Sequence, residues 1–136
     1  MGEDTSTEEE KMQGEMRKML SAPSLDVHAT AVRVPVLVGH TVSLALTLAR
    51  AASPDDARQT FAAFPGVRVL DEPWTKSYPT PLAAAGIDDV LVGRVRRIPF
   101  TNNGLSVFAS GDNLRKGNAL NAIQVAELLL GIERRA

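Results

Sequence analysis

The stretch Asp89-Val90-Leu91-Val92-Gly93-Arg94-Val95, followed by Asn102-Asn103-Gly104 and then Leu105-Ser106-Val107-Phe108, decides the fold class. Runs rich in branched apolar residues on either side of an Asn-Gly pair spell two strands joined by a reversal, because Asn and Gly tolerate the positive φ that such turns need. Upstream, Val42, Leu44, Leu46 and Leu48 alternate with Thr41, Ser43, Ala45 and Thr47. That period of two marks a strand with one face covered and one facing water. Val67-Arg68-Val69-Leu70 reads as a further short strand. From Asp26 onward His28, Thr30, Val32, Val34, Val36 and Val38 share one face of an extended segment, which predicts a strand that reverses at Gly39-His40 into the next.

Helical periodicity brackets these strands. Thr7 ahead of Glu8, Glu9 and Glu10 supplies a capping hydroxyl, with Glu10 at the capping-box position. Met12, Met16, Met19 and Leu20 then recur at helical spacing, predicting a helix over 7–20 whose Met stripe packs on a core. Ser53-Pro54-Asp55-Asp56 opens a second helix with Ala57, Phe61 and Phe64 on its apolar face, and Pro65-Gly66 stops it. Pro73, Pro79 and Pro81 make the stretch from Asp71 to Gly86 a loop. A last helix is expected from Leu114 to Ile132, where Leu120, Ile123, Val125, Ala126, Leu128, Leu129 and Leu130 wrap most of the circumference. Such a helix needs cover on more than one side, from another domain or subunit. The order of elements predicts an α+β fold: a mixed, largely antiparallel sheet with helices packed on one face.

The 136 residues make room for one domain, taken as 1–136 with a flexible start at 1–6. Fifteen basic residues against sixteen acidic ones leave a net charge of -1, which argues against nucleic-acid binding and against a polybasic membrane surface. With no cysteine there is no disulfide, no thiolate metal site and no catalytic thiol in this polypeptide, and no metal site is expected. The N-terminus has neither a basic nor an apolar region of a signal peptide, and no apolar run reaches the length of a membrane span. A cytoplasmic setting is the expectation.

Arg33-Val34-Pro35-Val36-Leu37-Val38-Gly39-His40 groups the polar residues of greatest chemical interest. Seven residues apart on an unbroken strand, Arg33 and His40 point to opposite faces; a bend at Pro35 or Gly39 is required to aim both at one pocket. Glu8 and Lys11, three apart on a helix, are neighbours and by spacing alone form a solvated ion pair. Arg94, Arg96 and Arg97 make a basic strand end. Gly111-Asp112-Asn113-Leu114-Arg115-Lys116-Gly117 sets two glycines around a helix start, a weak anion-site signal.

Glu8-Glu9-Glu10-Lys11-Met12, Ala29 to Val36 with Gly39-His40, Tyr78-Pro79-Thr80-Pro81, Val92 to Arg97, Asn103-Gly104-Leu105 and Asp112 to Gly117 with Gln124-Val125-Ala126-Glu127 occur in the order seen in bacterial aspartate-semialdehyde dehydrogenases. From about Glu8 to Glu127 the chain resembles the C-terminal catalytic and dimerisation domain of that family. The resemblance implies a glyceraldehyde-3-phosphate-dehydrogenase-like C-terminal domain and a reaction in which NADPH reduces β-aspartyl phosphate to aspartate β-semialdehyde through a cysteine thioester, in lysine, threonine and methionine biosynthesis. It implies that His40 is the acid/base catalyst, for which an imidazole suits neutral pH. It further implies that Arg33 grips the substrate carboxylate, Glu8 its ammonium, and Lys11 the phosphate, and that Asn113 lies by the NADP nicotinamide. The family's Gly-rich nucleotide loop and nucleophilic cysteine are absent, Ala31 stands where relatives often carry cysteine, and Thr41 follows the histidine where serine is usual. The chain is therefore expected to be inactive alone and to form a homodimer. The competing expectation is a non-catalytic homodimerising module derived from the same family.

Overall fold

The computed structural model describes residues 4–132. The chain divides after Pro35 into two compact units. The first is helix α1, Thr7–Met19, followed by a segment without regular secondary structure. Its cap is Ser6 rather than Thr7: the Ser6 hydroxyl accepts from Glu9 N–H, and the Glu9 carboxylate accepts from Ser6 N–H at 2.8 Å. The capping box thus sits one residue earlier than the sequence predicts, because Glu9 and not Glu10 falls three residues after the capping hydroxyl. The start expected to be flexible lies in part outside the described residues, and Ser6 belongs to the cap. The Met stripe does not build a core: Met12 and Met16 are half-buried, Met19 is exposed, and no residue of α1 is buried.

The strand expected over His28–Val38 does not form, nor does its hairpin at Gly39-His40. β-branched residues favour extended backbone, but a strand also needs a hydrogen-bonded partner. Pro35 offers no N–H, and Gly39 takes φ 100°, outside the range a ladder uses. Regular pairing begins only at His40.

In the second unit, β1 (His40–Thr47), β2 (Val67–Val69), β3 (Val90–Arg97) and β4 (Gly104–Gly111) form one sheet in the order β1-β4-β3-β2. β4 runs antiparallel to both β1 and β3, and β2 is parallel to β3. The fold is α+β on a mixed, largely antiparallel sheet, as the pattern predicts. β3 does reverse into β4, but not in the Asn-Gly pair: the turn lies at Pro99-Phe100, where Phe100 takes φ 66°, and Gly104 already opens β4, with the Asn103 side-chain amide donating to the Leu48 carbonyl. Helix α2, Pro54–Ala62, carries a second Ser capping box, Ser53 with Asp56, and sets Ala57 and Phe61 against Val92, Val95 and Val107, on which Leu44 and Leu46 of β1 also pack.

Val95 reaches that face only through a β-bulge. Between Gly93 and Arg96, β3 carries one residue more than β4, and Arg94 takes φ 52°. The extra residue returns Val95 to the side of Val92. Asp71 holds the bulge: its carboxylate accepts from Arg94 N–H (2.8 Å), Val95 N–H (3.1 Å) and Arg58 Nε (2.7 Å), with the Asp71 side chain only 4% exposed. The same contact is the main reason the Arg58 pKa is raised. On the opposite face Pro79 crosses Gly93, where a Cβ would meet the Leu70 carbonyl oxygen at 2.1 Å.

Two further elements differ from expectation. Within the Pro-rich loop, Thr80 caps a short helix α3, Pro81–Ala84, because Pro at the first helical position needs no N–H partner. The last helix is not continuous from Leu114: Arg115–Ala119 is a π-helical turn and α4 is Leu120–Leu129. The Asp112 carbonyl accepts from Arg115, Lys116 and Gly117 N–H, which widens that turn. In α4 only Leu120 is buried, while Ile123, Val125, Leu128 and Leu129 lie exposed. Among the described residues no helix is long and apolar enough to cross a membrane, and no group of acidic or histidine side chains could hold a metal.

Candidate functional site

Of the residues singled out by sequence, Glu8, Lys11 and Arg33 belong to the first unit, and His40 and Asn113 to the second. Glu8 and Lys11 lie on one face of α1 with Lys11 Nζ 3.7 Å from Glu8 Oε2, both well exposed. Arg33 is exposed and has no ion pair or side-chain hydrogen bond among the described residues. Its segment is tied back to α1 by Glu9, which by sequence is only one of three acids in the first turn. Glu9 Oε1 accepts from Ala31 N–H at 2.8 Å while its other oxygen closes the capping box. The Ser6 and Ala31 N–H groups hold the Glu9 carboxyl below its ordinary pKa. One carboxylate therefore fixes the start of the helix bearing Glu8 and Lys11 and a point two residues from Arg33.

His40 opens β1 and is exposed, directly after the buried Gly39. The bend that sequence demanded between Pro35 and His40 is found at Gly39. A Cβ there would meet Pro81 atoms at 3.2 Å, so both the positive φ and the close approach of α3 require glycine. Asn113, from the loop after β4, places its Oδ1 2.7 Å from Gly39 N. Ser110, buried in β4, donates its hydroxyl to the His40 carbonyl at 3.2 Å. Sequence alone missed Ser110, since a serine at a strand position carries no signal until its register partner is known. Pairing β1 with β4 sets Thr41 opposite Ser110 and His40 opposite Gly111.

The glycine-flanked segment flagged as an anion site is already filled by its own carboxylate. Asp112, 4% exposed, accepts from Leu114 N–H (2.8 Å) and Arg115 N–H (3.2 Å) with one oxygen and from Gly86 N–H (2.8 Å) with the other. The Gly86 bond above all, and then those from Leu114 and Arg115, keep its pKa below the usual carboxylate value. N–H groups that would cradle an anion are spent on Asp112, and the loop is a latch between Gly86 and the end of β4. The basic strand end also acquires structure. Arg94 lies over the Tyr78 ring at 5.5 Å, and Arg96 donates to the Arg94 carbonyl. With Arg58, Lys76 and Asp71 they line a concavity of about 380 Å³.

The family described as "Semialdehyde dehydrogenase, dimerisation domain" matches residues 1–116. The aspartate-semialdehyde dehydrogenase of Corynebacterium glutamicum is 49% identical over 125 residues, covering 90% of this chain and 35% of that protein. That of Aquifex aeolicus is 44% identical over 123 residues, 90% of this chain and 36% of that protein. The chain thus spans about a third of the length of these curated relatives. Among solved structures, an aspartate semialdehyde dehydrogenase II from Vibrio cholerae, crystallised as a complex with ASA, superposes with a TM-score of 0.90 at 34% identity, over 96% of this chain and 38% of that one. The Francisella tularensis enzyme gives 0.84 at 27% identity, over 95% and 36%.

Proposed function

This chain belongs to the semialdehyde dehydrogenase dimerisation-domain family, and from that premise we propose that it is the substrate-binding and dimerising part of an aspartate-semialdehyde dehydrogenase. In that reading NADPH reduces β-aspartyl phosphate to aspartate β-semialdehyde, a cytoplasmic step of lysine, threonine and methionine biosynthesis. His40 acts as the acid/base group: an exposed imidazole at a strand end can reach a substrate, and its ring nitrogens can take up and hand on a proton. Arg33, with no carboxylate partner of its own among the described residues, offers a planar fork to the substrate carboxylate. Glu8 holds the ammonium and Lys11 the phosphate; their mutual ion pair is long and exposed, so separating them costs little.

The thiolate of the thioester step comes from outside this sequence, which has no cysteine. For the cofactor, the residues present suit one edge of the nicotinamide. Asn113 spends its Oδ1 on Gly39, and its side-chain amide protons have no partner among the described residues. No Gly-rich loop for the nucleotide phosphates occurs in the sequence. When bound, the cofactor supplies the hydride.

The observation that carries this reading is the turn at Gly39, whose N–H donates to Asn113 and after which His40 stands exposed at the sheet end. The test is reconstitution. The chain is mixed with a separately expressed nucleotide-binding domain of an aspartate-semialdehyde dehydrogenase, and NADPH oxidation is followed with β-aspartyl phosphate. Turnover that needs both parts and is abolished by His40→Ala is the expected result. No turnover at any partner concentration, together with a stable homodimer by light scattering, would leave the non-catalytic assembly module instead.

A further inference from the structure

A glycine immediately before a catalytic side chain is a hinge unless something outside it removes its freedom, since Gly populates both signs of φ with little preference. Here the restraint comes from the far end of β4. Asn113 Oδ1 accepts from Gly39 N–H at 2.7 Å across 74 residues of chain. One residue on, the His40 carbonyl accepts from Ser110 Oγ at 3.2 Å. The Thr41 hydroxyl lies 3.3 Å from that same oxygen; with the Ser110 proton directed to His40, Thr41 is the donor of this second bond. Ser110 is 1% exposed, so its hydroxyl has no competing water. Asn113 is fixed in turn by its neighbour Asp112, whose carboxylate ties the loop to Gly86, Leu114 and Arg115. Pro81 closes the remaining side, within 3.2 Å of where a Gly39 Cβ would stand.

We infer that Asn113 and Ser110 are positioning residues for His40, bracketing Gly39 and His40 so that the imidazole leaves the sheet end in one direction. The inference rests on the reading of His40 as the acid/base group. It adds to Asn113 a task beyond any contact with a cofactor: its oxygen holds the Gly39 N–H, one residue before the histidine, while its amide protons stay available. Without the bracket the first pair of the β1–β4 ladder, His40 with Gly111, would fray at the glycine, and the imidazole would spend only part of its time within reach of a substrate.

The test needs no substrate and uses the whole chain. In 15N-labelled protein, Asn113→Ala is expected to lower the protection of the Gly39 amide against hydrogen exchange at least ten-fold, and to shift and broaden the His40 Cε1–H line. The β3–β4 ladder amides should stay within two-fold. Asn113→Asp, which keeps an acceptor oxygen, should restore Gly39 protection and the His40 line. Unchanged Gly39 protection and an unchanged His40 line in Asn113→Ala would overturn the inference. If that variant does not fold, Ser110→Ala decides: a broadened His40 line over an intact ladder supports the bracket, and an unaltered line refutes it. Failure of the functional reading looks different, namely no reconstituted turnover while Gly39 remains protected through Asn113.

Discussion

Up to Pro35 none of the described residues is buried, whereas beyond it β3 and β4 alone bury Leu91, Val92, Val95, Leu105 and Val107. Both units nevertheless use one device: a carboxylate that gathers backbone N–H groups from distant segments. Glu9 does this for Ser6 and Ala31, Asp71 for Arg94 and Val95, and Asp112 for Gly86, Leu114 and Arg115. What differs is the surroundings. Glu9 works in solvent, where water replaces a lost bond at small cost, while Asp71 and Asp112 work with almost no exposure, where an orphaned N–H has no substitute. The same chemistry is a light tie in one unit and a structural fixture in the other.

The largest effect should come from removing the most buried fixture. Asp71→Ala takes the partner from Arg58 Nε and from two bulge N–H groups, leaving Arg58 its bonds to Asp55 and the Val95 carbonyl, and should lower the unfolding free energy of the sheet unit by roughly 2–4 kcal/mol. Denaturant titration followed by the amide signals of the β3–β4 ladder measures it; a loss under about 1 kcal/mol would mean that water enters the bulge and that burial is not what separates the two units. Gly93→Ala comes next. Its Cβ would stand 2.1 Å from the Leu70 carbonyl oxygen and 2.7 Å from Pro79 Cδ, so backbone must shift, at about 1–3 kcal/mol. The same titration checks it, and a neutral result would show that β2 and the Pro79 crossing are loosely held.

These two positions also mark what a sequence can and cannot disclose. The reversal between β3 and β4, though not its turn at Pro99-Phe100, the alternation over Thr41–Leu48 and the Ser53-Pro54 helix start were legible because each is a local signal read within a few residues. The bulge was not, since Val-Gly-Arg-Val fits an unbroken strand until Asp71 reaches it from 23 residues away. For the same reason the roles proposed for Glu8, Lys11, Arg33, His40 and Asn113 come from resemblance and not from pattern. What surrounds them, the Glu9 tie and the Ser110 and Asp112 bonds, is set by strand register and loop packing that no local window contains. The extended run over His28–Val38 misled in the opposite way, because branched residues declare a backbone preference and say nothing about whether a partner strand exists.

The paired serine caps give a sharper test of the comparison between units. Ser6 and Ser53 each close a capping box, so locally their removal should cost the same, about 1 kcal/mol. Ser53→Ala should register in the global unfolding midpoint, because α2 packs Phe61 on the sheet core. Ser6→Ala should appear as faster amide exchange in the first turn of α1, with the sheet-unit midpoint unmoved. If both variants shifted the midpoint equally, the two units would unfold as one and the contrast drawn from burial would be wrong.

The smallest effect is the one with acid. Glu9, Asp56 and Asp112 all have pKa values held below their ordinary positions, by the N–H groups of Ser6 and Ala31, by the Ser53 hydroxyl and N–H, and by the N–H groups of Gly86, Leu114 and Arg115. A carboxylate depressed in the folded state contributes its stability in full above its unfolded value, near pH 4, and loses it as the pH falls through the lower folded value. Both units should therefore weaken only below about pH 4, and they should do so separately. Asp112→Asn should flatten the acid dependence of Gly86 amide protection and of the sheet-unit midpoint together, because that latch is part of the cooperative structure. Glu9→Gln should flatten only the opening of the Ala31 amide, once rates are corrected for the intrinsic pH dependence of exchange. A Glu9 variant that changed the acid response of the sheet unit would show that the strap near Arg33 and the sheet end bearing His40 are energetically joined, which exposure alone gives no reason to expect.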